Sequence, residues 1–381
     1  MSVRVYVPAD TTALAVGAEE VALAIAAGAA ARGVSIELVR NGSRGLFWLE
    51  PMVEVATPAG RVAYGPVDVA DVPGLLDAGF LTGGDHPLAL GATEEIPFLR
   101  QQERLTFARV GVVDPLSLDD YAAHGGLVGL RAALAMSASE IVQAVTDSGL
   151  RGRGGAAFPA GIKWRTVLGA PGIEKYVVCN ADEGDSGTFS DRMLLEGDPF
   201  CLIEGMVIAG LAVGASRGYV YLRSEYPRAW RVVNAALQRA REAGLLGDDI
   251  LGSGWAFDIE ARLGGGAYIC GEETAMLESI EGKRGQVRTK PPLPAVKGLF
   301  GKPTVINNLI TLASVPVILA RGAAFYRDFG LGRSRGTLPF QLAGNVRQGG
   351  LVEKAFGLTL GELIDDFGGG TASGRPVRAV Q

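Results

Sequence analysis

The sequence predicts an α/β protein built on a mostly parallel sheet, and three observations support that fold class. Strand-like apolar segments alternate with helical segments from residue 148 onward, which is the order found in doubly wound sheets. Hydrophobic residues make up 48% of the chain, enough to exclude a disordered protein. Glycine supplies 55 of the 381 residues, about twice the ordinary share, which predicts tight turns and close approaches of backbone to a ligand.

The first part of the chain predicts a strand, a helix and a second strand. RVYVPA alternates, the alanine-rich run TTALAVGAEEVALAIAAGAAARG is helical and ends at Gly33, and SIELVR returns to alternation. We expect a small α/β domain over residues 1–65. Residues 66–145 carry loop signals at GGDHP and DPLS and predict a connector with one or two helices.

The central part repeats the order of strand and helix. KYVVCN predicts a strand that ends in an acidic cluster, and Asp198 followed by Pro199 begins a helix. YVYLRS predicts the next strand, and Pro227 begins a helix that ends at Gly244. Ligands of such sheets bind at the carboxyl ends of the strands, where the acidic cluster falls.

The last part of the chain contains the segments FQLAGNV, LVEKAFGLTLGELIDDFGGG and VRAV. Their pattern predicts strands around one amphipathic helix. We expect a β-grasp-like module over residues 329–381. Because the sequence stops directly after the strand-like VRAV, we also expect this module to be truncated.

Charge and composition exclude several classes of protein. The 36 basic and 41 acidic side chains give a net charge of −5, which does not suit a nucleic-acid binder. Three separated cysteines and two isolated histidines predict no metal site and no Ser-His-Asp triad, and Cys270 is expected to be buried. The most apolar stretch is short and contains Glu204, so we expect no membrane segment and a cytoplasmic location.

The first candidate site is a glycine-rich loop formed by Gly152, Arg153 and Gly154, followed by Phe158 and Lys163. Glycines let backbone N–H groups approach an anion, and the Arg and Lys side chains add positive charge. A mobile surface loop is the alternative interpretation.

Two acidic clusters are the next candidates. The first, with Asn180, Asp182, Glu183 and Asp185, follows a strand and can bind sugar hydroxyls or ring N–H groups, unless it is a solvated turn. The second combines three glycines with Tyr268, Gly271, Glu272 and Glu273 at the start of a helix, whose dipole alone would also explain the two glutamates.

The last candidate site is a run of basic residues, followed by two asparagines. Six Lys or Arg residues and no acid lie between Lys283 and Lys302, so this segment is expected to face phosphates or an acidic partner, or to be a solvated loop. Asn307 and Asn308 follow among apolar residues and need partners such as a cofactor phosphate. Together the clusters predict a nucleotide-type cofactor that carries its own chemistry, such as flavin or nicotinamide.

The strings SGLRGRGGAAFPAGIKW, VVCNADEGDSGTFSDR, GGGAYICGEETAMLESIEGKRGQ and GKPTVINNLITL resemble the family of FMN- and NADH-binding (51 kDa-type) subunits of complex I. Diaphorase subunits of hydrogenases and formate dehydrogenases share this family, and the resemblance covers residues 148–381. It implies a Rossmann-like FMN/NAD-binding domain over 146–328 and a β-grasp (SLBB) module over 329–381. The family's SCGxCxPC motif and 4Fe-4S helical bundle are absent from this sequence, so no ligand of that cluster can be assigned.

The resemblance also implies roles for individual residues. The expected FMN contacts are Gly152, Arg153, Gly154, Lys163, Asn180, Asp182, Glu183, Tyr268, Gly271, Glu272, Glu273, Asn307, Asn308 and Thr311. NAD(H) would lie toward Phe158, Lys163 and Asp185, and Glu183, Glu272 and Glu273 would act as the catalytic residues along the flavin edge and nicotinamide pocket. Leu293 and Thr166 replace aromatic residues of some relatives, which leaves Phe158 as the aromatic residue for adenine stacking.

The N-terminal domain resembles a thioredoxin-like 2Fe-2S domain that lacks every cluster cysteine. With LTFARVGVVDPLSLDDYAAHGG, it makes the chain most similar to the β subunit of NAD-dependent molybdenum formate dehydrogenases. That resemblance implies two partners, which are a 24 kDa-type 2Fe-2S subunit and a molybdenum/Fe-S α subunit. Two alternatives stay open: a diaphorase subunit of an NAD-linked hydrogenase or complex I, and an assembly scaffold without cofactor.

Overall fold

The computed structural model describes residues 2–381. Its N-terminal part is a five-stranded sheet with helices packed on it. Its elements are β1 (Val3–Tyr6), α1 (Thr11–Leu14), α2 (Ala18–Ala31), β2 (Ile36–Val39), β3 (Val53–Thr57), β4 (Gly60–Tyr64), α3 (Val72–Asp77) and β5 (Ala89–Ala92). The strand order is β2-β1-β3-β4-β5, with β1 and β2 parallel and the remaining pairs antiparallel. Apolar residues of β1, β3 and α2 form a separate core for this unit.

Two details of this unit differ from the sequence expectation. The sheet continues past residue 65, because β5 pairs with β4, so the unit extends to residue 92 and the connector is shorter. The expected single helix is divided at Gly17, whose φ of 97° is left-handed and interrupts the helical backbone between α1 and α2.

The connector contains four helices: α4 (Pro97–Arg100), α5 (Leu118–Ala123), α6 (Val128–Leu134) and α7 (Ala138–Asp147). Helices α5 to α7 contribute to the main core with the central part, whereas α4 packs with apolar residues of the N-terminal and C-terminal parts. The stretch after α4 is hydrogen-bonded to a residue in the C-terminal part of the chain. The Glu353 carboxylate accepts hydrogen bonds from the main-chain N–H groups of Thr106 and Phe107, each at 2.9 Å. Two main-chain N–H groups of the connector thus depend on an acceptor almost 250 positions later.

The central part forms a four-stranded, fully parallel sheet in the order β8-β7-β6-β9, which confirms the predicted α/β class. Its elements are α8 (Ala160–Gly169), β6 (Tyr176–Ala181), α9 (Ser190–Gly197), α10 (Pro199–Val213), β7 (Arg217–Leu222), α11 (Pro227–Glu242), β8 (Asp258–Leu263), α12 (Glu273–Ile280), α13 (Pro294–Lys297), β9 (Thr304–Asn308), α14 (Leu309–Ala313), α15 (Val315–Arg321) and α16 (Ala323–Arg327). The chain runs outward from β6 through β7 to β8 and then returns to the other side of β6. This reversal places the switch point of the sheet between β6 and β9.

Helix α10 lies at the centre of the main core and is apolar on all sides, as expected of a fully buried helix. Its one carboxylate, Glu204, is 2% exposed. Both oxygens are used: the Tyr121 hydroxyl and the main-chain N–H groups of Leu127 and Leu130 donate to them. Leu127 has a left-handed φ of 64°, so Glu204 receives the N–H groups at a bend where α6 begins.

The C-terminal part is a small antiparallel structure that packs on the rest. It contains β10 (Gly330–Leu331), β11 (Ser334–Arg335), β12 (Thr337–Leu342), β13 (Gly350–Ala355) and α17 (Leu360–Glu362), followed by a π-helical turn (Leu363–Phe367). β12 and β13 form a hairpin. VRAV (residues 377–380) was expected to be strand-like, but the structure has no regular secondary structure there. Its side chains are exposed, so no buried face holds it in an extended pairing.

Candidate functional site

A cavity of about 600 Å³ opens at the carboxyl ends of β6 and β9, at the switch point of the sheet. Ten of the candidate residues contribute to its lining: Arg153, Gly154, Asn180, Asp182, Glu183, Asp185, Tyr268, Gly271, Glu272 and Asn308. The structure therefore brings together clusters that are spread over more than 150 residues of the sequence.

The glycine-rich loop presents its backbone to the cavity. The Arg153 N–H donates to the Thr311 hydroxyl at 2.8 Å, which fastens the loop to α14. A Cβ at Gly154 would lie 3.0 Å from the Cβ of Asn308, and Gly155 has a left-handed φ of 100°. Side chains at these positions would crowd the wall or strain the backbone, so the sequence needs glycine here.

The Arg153 side chain is not free to hold a phosphate, contrary to the expectation for this residue. Its guanidinium donates to the carbonyls of Arg151, Arg335 and Thr337 at 2.6 to 3.2 Å and to the Tyr326 hydroxyl at 2.9 Å. Most of its five N–H groups are thereby used inside the protein. Arg153 instead attaches the glycine loop to α16 and the C-terminal hairpin.

The end of β6 supplies an amide and a carboxylate. Asn180 donates to the Gly271 carbonyl at 2.8 Å and accepts from the Asp182 N–H at 3.1 Å, so it ties the strand end to the loop before α12. The Asp182 Oδ2 atom is buried and has no hydrogen-bond partner within residues 2–381. Burial raises the pKa of Asp182 to about 6, against the opposing charge of Arg223.

Two carboxyls lie in the wall of the cavity: Asp191 is buried and Glu183 is half-buried. Glu183 accepts from the Ser190 hydroxyl at 3.2 Å, the Tyr226 hydroxyl at 3.1 Å and the Asp191 N–H at 3.2 Å. Asp191 accepts from the Asn308 amide at 3.1 Å. Burial raises the pKa of both groups, and for Asp191 the Glu183 charge adds to that increase. Glu183 therefore holds the start of α9 through the main-chain N–H groups of Asp191 and Arg192.

The C-terminal hairpin also contributes to the wall of the cavity. Leu338, Pro339 and Gln341 of β12 line the cavity. The Gln341 Oε1 atom accepts from the main-chain N–H groups of Phe189 and, at 3.0 Å, Ser190. The start of α9 is thus held by Glu183 from one side and Gln341 from the other.

Tyr268 and Asp185 meet at the mouth of the cavity. The Tyr268 hydroxyl donates to Asp185 Oδ1 at 2.7 Å, although the tyrosine is 70% exposed. Its ring lies against Gly184, where a Cβ would come within 2.9 Å of the ring. This contact crosses the opening and narrows it.

Lys163, Glu272 and Glu273 form a charged group beside the cavity with Lys290. Lys290 Nζ lies 2.9 Å from Glu272 and 2.8 Å from Glu273, and Lys163 Nζ lies 3.7 Å from Glu273. Lys163 also donates to the Ile306 carbonyl at 2.8 Å. Burial lowers the pKa of Lys163, although Glu273 opposes that effect. Lys163 and Glu273 do not line the cavity itself.

Glu272 caps α12. Its Oε2 atom accepts from the N–H groups of Thr274 and Ala275 and from the Thr274 hydroxyl at 2.6 to 2.9 Å. Burial acts against ionisation, but these hydrogen bonds and Lys290 bring the pKa of Glu272 below its ordinary value. The carboxylate thus stays charged at the cavity edge.

Four of the six basic side chains in the run, those of Lys283, Arg288, Lys290 and Lys302, pair with acidic side chains of the chain itself. Arg288 pairs with Glu278 at 2.5 Å and with Glu281 at 2.8 Å, and Lys283 pairs with Glu281 at 2.8 Å. The acids lie on α12 or directly after it, just before the run, and the fold brings them back onto it.

Asn307 and Phe158 lie outside the lining of the cavity. Asn307 is buried, and its Oδ1 atom accepts from the Trp164 indole N–H at 2.9 Å, so this oxygen is bonded within the core. Gly152 donates to the Phe158 carbonyl at 2.9 Å, and neither residue lines the cavity. Phe158 is 50% exposed beside α8.

The structure adds cavity residues beyond the candidate set: Gly155, Gly184, Thr188, Ser190, Asp191, Ile269, Ile310, Leu338, Pro339 and Gln341. Most of them are neighbours of candidates in the same motifs, so proximity in the sequence was a usable signal. Leu338, Pro339 and Gln341 had none, because β12 reaches the cavity only through the tertiary fold.

The three cysteines are free and buried, which confirms the expectation for Cys270. In residues 2–381 no group of three or more His, Cys, Asp or Glu side chains is placed to hold a metal ion. Within the same residues, every helix is too short or too polar to cross a membrane.

Comparisons with known proteins give a consistent result. The family model of the Nuo51 FMN-binding domain matches residues 145–317. The chain is 50% identical over 282 residues to the HndC subunit of the NADP-reducing hydrogenase of Solidesulfovibrio fructosivorans, covering 74% of this chain and 57% of that protein. It is 51% identical over 279 residues to the F 2 subunit of the NADH-quinone oxidoreductase of Rhizobium meliloti, covering 73% of this chain and 66% of that protein.

Among solved structures, the chain is similar to an NAD+-reducing [NiFe]-hydrogenase in the H2-reduced state, with a TM-score of 0.63 and 29% identity. That match covers 97% of this chain and 61% of the hydrogenase chain. The air-oxidized form gives a TM-score of 0.60 at 30% identity, over 96% and 60% of the two chains. The chain thus spans about three fifths of the length of the proteins that it matches.

Proposed function

We propose that this chain exchanges a hydride between NAD(H) and FMN, because it belongs to the family of 51 kDa-type subunits with a Nuo51 FMN-binding domain. Single electrons would pass between this site and iron–sulfur clusters of partner subunits. The observation that carries the proposal is the cavity at the switch point, where the three family motifs converge around an unsatisfied carboxylate.

The residues of the cavity fit a flavin nucleotide. The glycine backbone at Gly154 and Gly155 leaves room that a side chain would take, and its N–H groups suit a phosphate. Asp182 Oδ2 is a buried acceptor without a donor, which suits a ring N–H. A volume of about 600 Å³ lies within the range of cofactor pockets.

Bound FMN would supply the chemistry, because it takes up two electrons together and releases them one at a time. The chain's own residues bind and orient. Glu183 and Gln341 hold the start of α9 in the wall, and Tyr268 with Asp185 narrows the mouth. We propose that NAD(H) enters past this mouth, with Phe158 as an exposed aromatic surface and Lys163 nearby.

We propose that Glu183 and Glu272 line the reacting edge, and that Glu273, which does not line the cavity itself, lies beside it toward the nicotinamide pocket. Glu272 and Glu273 are held by Lys290, and Glu183 by four donors, so each is fixed in position. Fixed charges beside a reacting centre need no reorganisation during the reaction.

For the physiological partner, we propose formate oxidation by a molybdenum/Fe-S α subunit, with a 24 kDa-type 2Fe-2S subunit and a cytoplasmic location. The N-terminal unit supports this, because its parallel β1–β2 pair next to antiparallel β3 and β4 suits a thioredoxin-like domain without cluster cysteines. The hydrogenase relatives favour the alternative of a diaphorase subunit of an NAD-linked hydrogenase. Metal analysis of the complex isolated from its source cell separates the two, since molybdenum supports the first and nickel the second.

The flavin proposal is tested with Glu183→Gln and Lys163→Ala. We expect both to lower FMN content and NADH oxidation with an artificial acceptor by on the order of tenfold or more. Lys302→Ala is the control, because Lys302 pairs with Glu174 on the surface at 3.3 Å. Unchanged flavin content and activity in both test variants would show that this site assignment is wrong, and an unaltered chain that takes up no FMN would favour a scaffold.

Gln341→Ala tests the contribution of the hairpin. The variant leaves the N–H groups of Phe189 and Ser190 without their acceptor, so the start of α9 loosens and FMN affinity falls by on the order of tenfold. Flavin fluorescence titration measures the affinity. Gln348→Ala, in the connection between β12 and β13, is the matched control and should bind FMN normally. Equal affinities in the two variants would contradict the role of Gln341.

A further inference from the structure

The segment that follows β7, from Arg223 to Tyr226, contacts the loop between β6 and α9, although none of its residues lines the flavin cavity. The main-chain N–H of Arg223 donates to the Ala181 carbonyl at 3.2 Å, which continues the pairing of β6 and β7 past the end of β7. The segment therefore lies beside Asp182 and Glu183, the first residues after β6.

Two side chains of this segment hold Glu183 at different atoms. The Arg223 guanidinium donates to the main-chain carbonyl of Glu183. The Tyr226 hydroxyl donates to the Glu183 carboxylate at 3.1 Å. The guanidinium is itself held, because it pairs with Glu225 at 3.1 Å and its Cζ atom lies 5.5 Å from the centre of the Tyr226 ring. Glu183 is thus fixed through its main chain as well as its side chain, and Arg223 supplies the main-chain contact.

The charge of Arg223 also acts on Asp182. The Asp182 Oδ2 atom is buried, has no hydrogen-bond partner within residues 2–381, and lies 3.8 Å from the position that a Cβ on Gly271 would take. Burial raises the pKa of Asp182 to about 6, Arg223 opposes this increase, and Glu225 adds to it. Other titratable groups near Asp182 are those of Glu183, Tyr221 and Glu272. Arg223 is thus the cation that favours the ionised form of Asp182.

We propose, building on the proposed flavin function, that Arg223 is a positioning residue of the flavin site. It holds the Glu183 carbonyl, and with it the residues from Asp182 to Asp185 that line the cavity, and it supplies positive charge to the Asp182 carboxylate. A guanidinium suits both tasks, because it donates to a carbonyl through one N–H and remains charged at neutral pH. Arg223 does not line the cavity, so it acts on the cofactor through Glu183 and Asp182.

The test is the FMN affinity of Arg223→Met between pH 5 and 8, measured by flavin fluorescence titration. At pH 7.5 we expect a loss on the order of tenfold, because a charged hydrogen bond to the loop is removed. The pH below which the affinity falls should also move upward, because Asp182 loses the cation that favours its ionised form. Since the Arg223 side chain is 25% exposed, solvent screens part of its charge, and we expect a displacement of about half a pH unit or more.

Two further variants separate the charge of Arg223 from its contact with the loop. Arg223→Lys keeps the charge, so it should keep the pH dependence of the unaltered chain and lose less affinity than Arg223→Met. Arg217→Met is the matched control, because Arg217 is exposed at the start of the same strand, and it should bind FMN normally at every pH.

A purely structural role for Arg223 would lower the affinity by the same factor at every pH. In the Asp182→Asn background the titrating carboxyl is absent, so adding Arg223→Met should no longer move the pH dependence. Glu225→Gln removes a charge of the opposite sign and should move the pH dependence downward.

The role of Arg223 is overturned if Arg223→Met keeps the pH dependence of the unaltered chain, or if Arg223→Lys is displaced as far as Arg223→Met. If Arg223→Met does not fold, Glu225→Gln carries the test, and an unmoved pH dependence in that variant overturns the proposal. An unaltered chain that binds no FMN would overturn the proposed function and this role together. Normal FMN binding with unmoved pH dependences would overturn the role of Arg223 alone.

Discussion

Asp182→Ala is expected to lower the affinity for FMN by about ten- to a hundredfold at pH 7.5. The variant removes the one carboxylate oxygen in the cavity wall that is buried without a donor within residues 2–381. A hydrogen bond to a charged group contributes about 1.5–3 kcal/mol, and about 1.4 kcal/mol corresponds to a factor of ten. Asp182→Asn keeps a carbonyl oxygen and should lose less. Flavin fluorescence titration measures all three proteins, and equal affinities would show that Asp182 does not face the flavin.

The raised pKa of Asp182 also predicts that the affinity for FMN depends on pH. Because the pKa of Asp182 is raised to about 6 in the flavin-free chain, the carboxylate that accepts a donor is lost as the pH falls through 6. FMN affinity of the unaltered chain should therefore fall below pH 6. Asp182→Asn is the control for titration of the FMN phosphate, which is common to both proteins. The ratio of their affinities should change with pH, and a constant ratio would contradict the assignment.

In the flavin-free chain, the stability of the fold changes with pH in the opposite direction to the FMN affinity. A carboxyl whose pKa rises from about 4 to about 6 on folding favours the protonated folded state, so the stability falls as the pH rises between these values. Asp182→Asn removes this loss. We expect it to raise the Tm of the flavin-free chain at pH 8 and to change it little at pH 4.

Glu204→Ala is expected to reduce the free energy of unfolding by about 3–5 kcal/mol. The Tyr121 hydroxyl and the N–H groups of Leu127 and Leu130 would lose their acceptor inside the core. Urea unfolding of the FMN-loaded chain measures the loss from the midpoint and slope.

Two variants serve as comparisons for Glu204→Ala. Glu204→Gln keeps one acceptor oxygen and should lose less. Glu242→Ala, on the exposed end of α11, should change stability by less than about 0.5 kcal/mol. A loss below about 1 kcal/mol for Glu204→Ala would show that solvent enters to replace the carboxylate.

The fold class could be predicted because it depends on local patterns. Short apolar strands that alternate with helices require a layered α/β core, and polar residues at the carboxyl ends of β6 and β9 mark the place where a ligand binds. Asn180, Asp182 and Asn308 were therefore identifiable as cavity residues. The division at Gly17 was not, because glycine also occurs inside helices such as α10.

Side-chain roles were less predictable, since they depend on residues distant in the sequence. Arg153 is recognisable as a charged residue, but its acceptors in α16 and the hairpin lie more than 170 positions later. The Oδ1 atom of Asn307 accepts from the Trp164 indole N–H, a partner 143 positions away that no local pattern indicates. Gln341 carries no motif at all, and its contact with α9 arises from tertiary packing.

The bond from Glu353 to the connector also affects how the protein is made. Thr106 and Phe107 leave the ribosome 247 and 246 residues before the carboxylate that satisfies their N–H groups. At synthesis rates of about 5–20 residues per second, this interval lasts roughly 12–50 s. During that time these two N–H groups lack their native acceptor, and this stretch of the connector must be kept from aggregation or proteolysis. Emergence of the β12–β13 hairpin, and not of the parallel sheet, is thus the step after which the connector can take its final form.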